Sequence, residues 1–189
     1  MKKELIKQSG FTLVELMVTL AVAAILMTLA APSFTDLIRN NRLTTQVNYF
    51  TTALNTAKSE AVKRNKRVVL CKRNVAATQC DDTTSWQSGW LVFEDNNLDG
   101  DIDAGSGDTI IRVFEALKTG YTLAPTTAVD WVGYNSTGNG VDSNGGLPSN
   151  AFELCASDAT SGADTQKSRT ININASGGAS VEKGASSCP

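Results

Sequence analysis

Histidine is absent from this chain. That excludes Ser-His-Asp and Cys-His catalysis, and imidazole ligation of metals, from within it. Cysteine is sparse, with four residues and no Cys-x-x-Cys pair among them, which disfavours a four-cysteine zinc site. Charge of one sign is lacking too: 17 basic against 19 acidic residues leave a net of −2, which does not suggest general nucleic-acid binding. The glycine clusters Gly138-Asn139-Gly140 and Gly145-Gly146 are followed by no Gly-Lys-Ser/Thr, so they read as loop punctuation and not as a phosphate cradle. Neither a nucleophile–base pair nor an internal repeat is found. The three tryptophans, Trp86, Trp90 and Trp131, read as packing residues.

What is present begins at the N-terminus. Lys2, Lys3 and Lys7, with Glu4 as the only nearby acid, lead to Gly10 and then to a 21-residue apolar run from Phe11 to Ala31. At ~1.5 Å per residue such a helix is about 31 Å long, enough to span a bilayer. The basic leader places its own side in the cytoplasm and the remainder of the chain outside. One carboxylate, Glu15, lies inside the run. A charge at mid-bilayer costs roughly 2.5–3.5 kcal/mol on insertion scales, so it calls for a function. Cleavage behind Gly10 would give Phe11 a positive α-amine, and Glu15 would pair with that amine on a neighbouring copy. An ordinary secretory signal, with Ala21-Val22-Ala23 as cleavage site, is the competing reading. Such signals have apolar cores of about 7–15 residues, shorter than this run, and an internal acid is foreign to them. A plain uncut anchor leaves Glu15 unexplained.

After Ala31-Pro32, a kink or a boundary, apolar residues return at Phe34, Leu37 and Ile38, and then at Val47, Phe50, Leu54, Ala57 and Ala61, in steps of 3 and 4. This predicts an amphipathic helix to about Lys66 that docks on a sheet. From Arg67 the pattern turns to β. Strands are expected at 67–70, 90–93 and 109–114, with weaker signals at 121–123, 131–134, 151–155, 169–173 and 179–181. Segments 135–148 and 157–166 read as long loops. The fold class is α+β, a long N-terminal helix followed by an antiparallel sheet or sandwich. The expected organisation is a leader at 1–10, a membrane or core helix at 11–31, an amphipathic helix at 32–66 and a β domain at 67–189.

Four cysteines in an exported segment predict two disulfides. Spacing favours Cys71–Cys80 and Cys155–Cys188, although three connectivities are open to the sequence. The segment from Asp95 to Asp103 resembles the start of a calcium loop. Asp95, Asn97 and Asp99 would be ligands, Asp101 and Asp103 would follow, and Gly100 would make the turn. Ser106 stands where the bidentate glutamate belongs, and the solvated hairpin is the alternative. No other cofactor is expected. A basic run, Lys63, Arg64, Lys66, Arg67, Lys72 and Arg73, reads either as a contact for an acidic partner or nucleic acid, or as a solubilising helix end.

Lys7-Gln8-Ser9-Gly10-Phe11-Thr12-Leu13-Val14-Glu15-Leu16 resembles the class III leader of type IV prepilins and pseudopilins. The resemblance implies a prepilin peptidase that cuts between Gly10 and Phe11 and N-methylates Phe11. It makes Glu15 the fifth mature residue. The stretch from Leu54 to Asn65, then Cys71, Gly89-Trp90-Leu91-Val92-Phe93, Ile111-Arg112, Leu154-Cys155 and Cys188, is similar to the GspH/FimT/FimU branch of minor pilins. That branch implies a non-enzymatic subunit held in the inner membrane and then built into a pilus. It implies other minor pilins, a major pilin, the assembly platform and the peptidase as partners, and a place at or near the filament tip serving adhesion and twitching. The same N-terminal features also fit a type II secretion pseudopilin. Some FimT-type members bind DNA through a Gly-Arg-x-Arg element. The matching place here is Gly177-Gly178-Ala179-Ser180, with both arginines missing, so nucleic acid is not an expected partner.

Overall fold

The computed structural model describes residues 10–103, 105–145, 150–159, 164, 166–186 and 188. The leader residues 1–9 lie outside the described set, as do the side chains of residues 29–33. The chain has two compact units, Met1–Ile38 and Arg39–Pro189.

One helix, α1, runs from Leu13 to Arg64. It continues through position 32, so Pro32 is not a helix boundary. The Thr12 hydroxyl accepts a hydrogen bond from the Glu15 amide at 3.2 Å and caps the first turn. The other end closes on Asn65, whose φ of 56° is the left-handed conformation usual just past a helix. There the Lys66 amide reaches back to the Ala61 carbonyl at 3.2 Å and the Asn65 amide to Val62 at 3.4 Å. Lys63 and Arg64 complement the negative end of the helix dipole.

In the second unit α1 buries Leu43, Val47, Phe50, Ala53, Leu54, Ala57 and Ala61. This is the predicted stripe, extended by one turn at Leu43. Against it lie two antiparallel sheets. The first comprises β1 (Arg67–Lys72), β2 (Trp90–Asp95), β3 (Thr109–Phe114), β5 (Trp131–Tyr134) and β6 (Gly140–Asp142), in the order β3-β2-β1-β5-β6. The second comprises β4 (Tyr121–Pro125), β7 (Ala151–Ala156), β8 (Ser168–Ile173) and β9 (Ala179–Lys183), in the order β4-β7-β8-β9. A single cluster joins the α1 stripe to Val68, Leu70, Trp90, Val92, Phe114, Val132 and Tyr134 of the first sheet. It also includes Leu123, Phe152, Leu154, Ile171 and Ile173 of the second. Strand β6 falls in the segment 135–148, for which the sequence predicts a loop. Its three residues sit among turn formers and pair with Val132–Tyr134.

The outer face of the first sheet is buried as well. Val69, Cys71, Leu91 and Phe93 form a second cluster, roofed by Ala77, Cys80, Ile102 and Trp131. The roof explains why β2 is buried along its whole length, with no alternation. Disulfides join Cys71 to Cys80 and Cys155 to Cys188. The first clamps one half of the roof. The second ties the C-terminal tail to β7.

Candidate functional site

At the N-terminal end of α1 the described side chains are apolar and exposed: Phe11, Leu13, Val14, Leu16, Met17, Val18 and Leu20 are all more than half accessible. Glu15 stands among them in the first helical turn, where a carboxylate complements the helix dipole. Thr12 and Glu15 are spaced as in a capping box, a signal that the sequence itself carries. Among the described residues no helix is both long and apolar enough to cross a membrane, and the apolar run ends within residues 29–33.

The acidic loop is organised around its own backbone. The Asp95 carboxylate is fully buried. It accepts from the Leu98 amide at 2.7 Å, the Gly100 amide at 3.1 Å and Arg67 Nε at 2.8 Å, with a second contact to Arg67 Nη2. The Asn97 amide donates to Asp99 at 2.6 Å and to Asp103 at 3.2 Å, while Asp99 accepts from the Asp101 amide at 2.9 Å. The Asp101 backbone N–H holds the Asp99 carboxyl below its ordinary value, and the Asp99 carboxylate beside it holds Asp103 above. Gly100, at φ +87°, lies so close under the Trp131 indole that any side chain there would collide with it. Among the described residues no group of three or more Asp, Glu or Cys side chains is arranged to hold a metal ion. Nothing indicates a cofactor.

The basic run does not form a free positive patch. Lys63 and Arg64 pair with Glu60 at 3.2 and 2.6 Å, and Arg64 also reaches Glu94 at 3.1 Å. Lys66 contacts Glu94 and donates to Asn96 at 2.7 Å. Arg67 pairs with Asp95 and lies over the Trp131 ring at 5.0 Å. Lys72 meets Asp130 at 3.3 Å and Arg73 meets Glu115 at 2.7 Å. Glu60 lies on α1 itself, and the other partners come from β2 and distant loops. The antiparallel register sets Arg67 opposite Asp95 and Val68 opposite Glu94.

These pairs predict a pH dependence. The Lys66 ammonium, then Arg64, holds the Glu94 carboxyl below the ordinary 4.5, and Arg64 followed by Lys63 does the same for Glu60. A carboxyl lowered in the folded state contributes stability that is full above its unfolded value and lost as pH falls through the folded one. The melting temperature of the full chain in detergent is therefore expected to fall as pH drops below 4.5, and Glu94→Gln is expected to flatten that fall. An identical pH profile for the variant would remove Glu94 from the account.

The turn between β8 and β9 is packed inward. The Ser176 carbonyl accepts from Lys58 Nζ at 2.8 Å, and a Cβ on Gly177 would strike the Gly138 carbonyl and the Tyr134 ring. A side chain cannot be accommodated there without displacing the neighbouring hairpin. Gly177 takes the place of the glycine of a Gly-Arg-x-Arg element, and the two arginine positions fall at Gly178, which is half-buried, and at Ser180, which is exposed.

Comparison with known proteins agrees with this anatomy. The family described as "Type II transport protein GspH" matches residues 46–177, and the "Prokaryotic N-terminal methylation motif" matches residues 5–31. A type IV major alpha-pilin of Moraxella bovis is 33% identical over 136 residues, covering 66% of this chain and 83% of that one. Two crystal structures of the Pseudomonas aeruginosa type IV minor pilin FimU share the fold, with TM-scores of 0.54 and 0.52 at 17% identity. They cover 75% and 74% of this chain, and 89% and 92% of theirs. The apolar helix with its first-turn acid, the stripe docked on antiparallel sheets and these matches lead to one conclusion: the chain belongs to the GspH family of type IV pilin-like proteins, which are structural subunits and not enzymes.

Proposed function

We propose that this chain is a minor type IV pilin whose working site is the exposed apolar helix beginning at Phe11. Prepilin peptidase cuts between Gly10 and Phe11 and methylates the new amine. Residues 11–31 hold the subunit in the inner membrane, with 67–189 on the periplasmic side, until the assembly platform extracts it. The same residues then exchange lipid for the helices of other minor pilins and of a major pilin. The supporting observation is Glu15, a carboxylate in the first turn of a helix whose other described side chains there are apolar. In an assembled apolar core that charge needs a partner, and the Phe11 amine of a neighbour supplies one. A position at or near the filament tip, with roles in adhesion and twitching, extends the same reading.

Glu15→Ala is expected to insert in the membrane and to be cleaved normally, while its incorporation into sheared filaments falls at least about tenfold. Immunoblots of filament and membrane fractions give the ratio. Wild-type levels in the filament fraction would leave Glu15 only its place at the positive end of the helix dipole. Mass spectrometry of the native protein is expected to find a methylated Phe11 start.

A second reading, a minor pseudopilin of type II secretion, is favoured by the description of the family that matches residues 46–177. Deletion separates the two, since loss of twitching supports the pilus and loss of exoprotein secretion supports the pseudopilin. The DNA-binding alternative has little support, because each basic side chain from Lys63 to Arg73 already faces a carboxylate. For calcium, Asp95 would have to exchange Arg67 and two backbone amides for the ion. Melting temperatures in calcium and in chelator are accordingly expected to coincide, and a calcium-dependent rise would restore the ion to Asp95, Asn97, Asp99, Asp101 and Asp103.

A further inference from the structure

We propose that the groove at the C-terminal end of α1, walled by Asn65, Asn96, Leu98, Asn135, Ser136 and Val141, binds a neutral saccharide. The groove has a volume of about 500 Å³ and also borders Lys66, Arg67 and Asp95. Its charges cancel within the chain, Lys66 against Glu94 and Arg67 against Asp95. With each charge already matched inside the chain, the groove offers no net charge to attract an ion, and an uncharged ligand needs none.

Hydrogen-bonding capacity remains on the walls. Among the described residues, the side-chain amide of Asn65 and the Ser136 hydroxyl have no partner within the chain. Asn135 is held by its oxygen alone, which accepts from the Thr137 amide at 3.0 Å, the Thr137 hydroxyl at 2.7 Å and the Asn139 amide at 3.0 Å. Its Nδ2 donors are left over. The held amide of Asn135, with the Asn65 amide and a hydroxyl that can both donate and accept, matches the hydroxyls of a sugar ring.

Leu98 supplies the second argument. It adopts φ +66°, a conformation strained for leucine and free for glycine, yet 61% of it is exposed. Asp95 Oδ1 holds it there through the Leu98 amide. With Val141 it forms an apolar ledge against which the C–H face of a ring can lie. The volume of the groove lies within the ~300–1,000 Å³ usual for small-ligand pockets. This inference stands whether or not the chain is a pilin.

The test is NMR titration of the full chain in a zwitterionic detergent without sugar headgroups. The probes are glucose, galactose, mannose, N-acetylglucosamine and inorganic phosphate. At least one sugar is expected to give saturable shifts centred on Asn65, Leu98 and Ser136 at millimolar concentration, and phosphate none. Leu98→Gly, which relieves the backbone and keeps the melting temperature, is expected to weaken that binding about tenfold, and Ser136→Ala to weaken it several-fold. The proposal fails if no sugar saturates, if the shifts map elsewhere or if Leu98→Gly binds as wild type. It fails equally if phosphate competes, or if the groove signals move with protein concentration alone, which would mark a protein contact.

Discussion

Phe50→Ala is expected to destabilise the folded chain by about 3–5 kcal/mol, the range for deleting a buried aromatic ring. Phe50 has no accessible surface, and its ring centroid lies 5.0 Å from Trp90, 4.8 Å from Phe152 and 6.2 Å from Trp86. Trp90 belongs to the five-stranded sheet and Phe152 to the four-stranded one, so a single side chain of α1 ties both layers together. The Trp86–Phe152 contact, with centroids 4.9 Å apart, cannot collapse far into the vacated space because both rings are also held by their own strand or turn. Denaturant unfolding followed by tryptophan emission should show a lower midpoint at unchanged slope. A loss below about 1 kcal/mol would mean that the two sheets hold together without the helix.

Asp95→Ala is expected to cost about 3–5 kcal/mol, since removing one partner of a buried ion pair strands the other. Arg67 is only 15% exposed at its side chain and has Trp131 on one face, so water cannot readily replace the lost carboxylate. The same substitution releases the Leu98 and Gly100 amides and loosens the loop that carries Ile102 onto the outer face of the sheet. Asp95→Asn keeps one acceptor for the backbone but gives up the charge, so its loss should be smaller. Equilibrium unfolding measures both variants, and hydrogen exchange at Leu98 and Gly100 should speed up in each. Equal stability of Asp95→Ala and wild type would show that the roof over Leu91 and Phe93 needs no anchor at Asp95.

Much of this molecule is readable from local pattern. The stripe Val47, Phe50, Leu54, Ala57, Ala61 requires only the helical period, and the strands around Val69, Val92 and Ile111 only their β-branched and aromatic content. Strand β6 escaped because Gly140-Val141-Asp142 has no strand character of its own and is strand only by pairing with β5. At β3 the register shifts between its partners Val92 and Phe93, leaving Ile111 as an extra residue that no period-2 reading anticipates.

The candidate sites divide in the same way. The apolar run with Glu15 is a property of consecutive residues, so the order of side chains along one helix determined it. The fate of the basic run was decided in three dimensions. Along the chain no acid stands between Glu60 and Asp81, yet Glu94, Asp95, Asp130 and Glu115 arrive through strand pairing and loop closure and neutralise it. In the acidic loop, likewise, the Arg67 that engages the Asp95 carboxylate comes from the neighbouring strand. Periodicity and charge order act between neighbours in sequence. Coulomb pairing and burial act between neighbours in space, and only the packed sheets establish who those neighbours are.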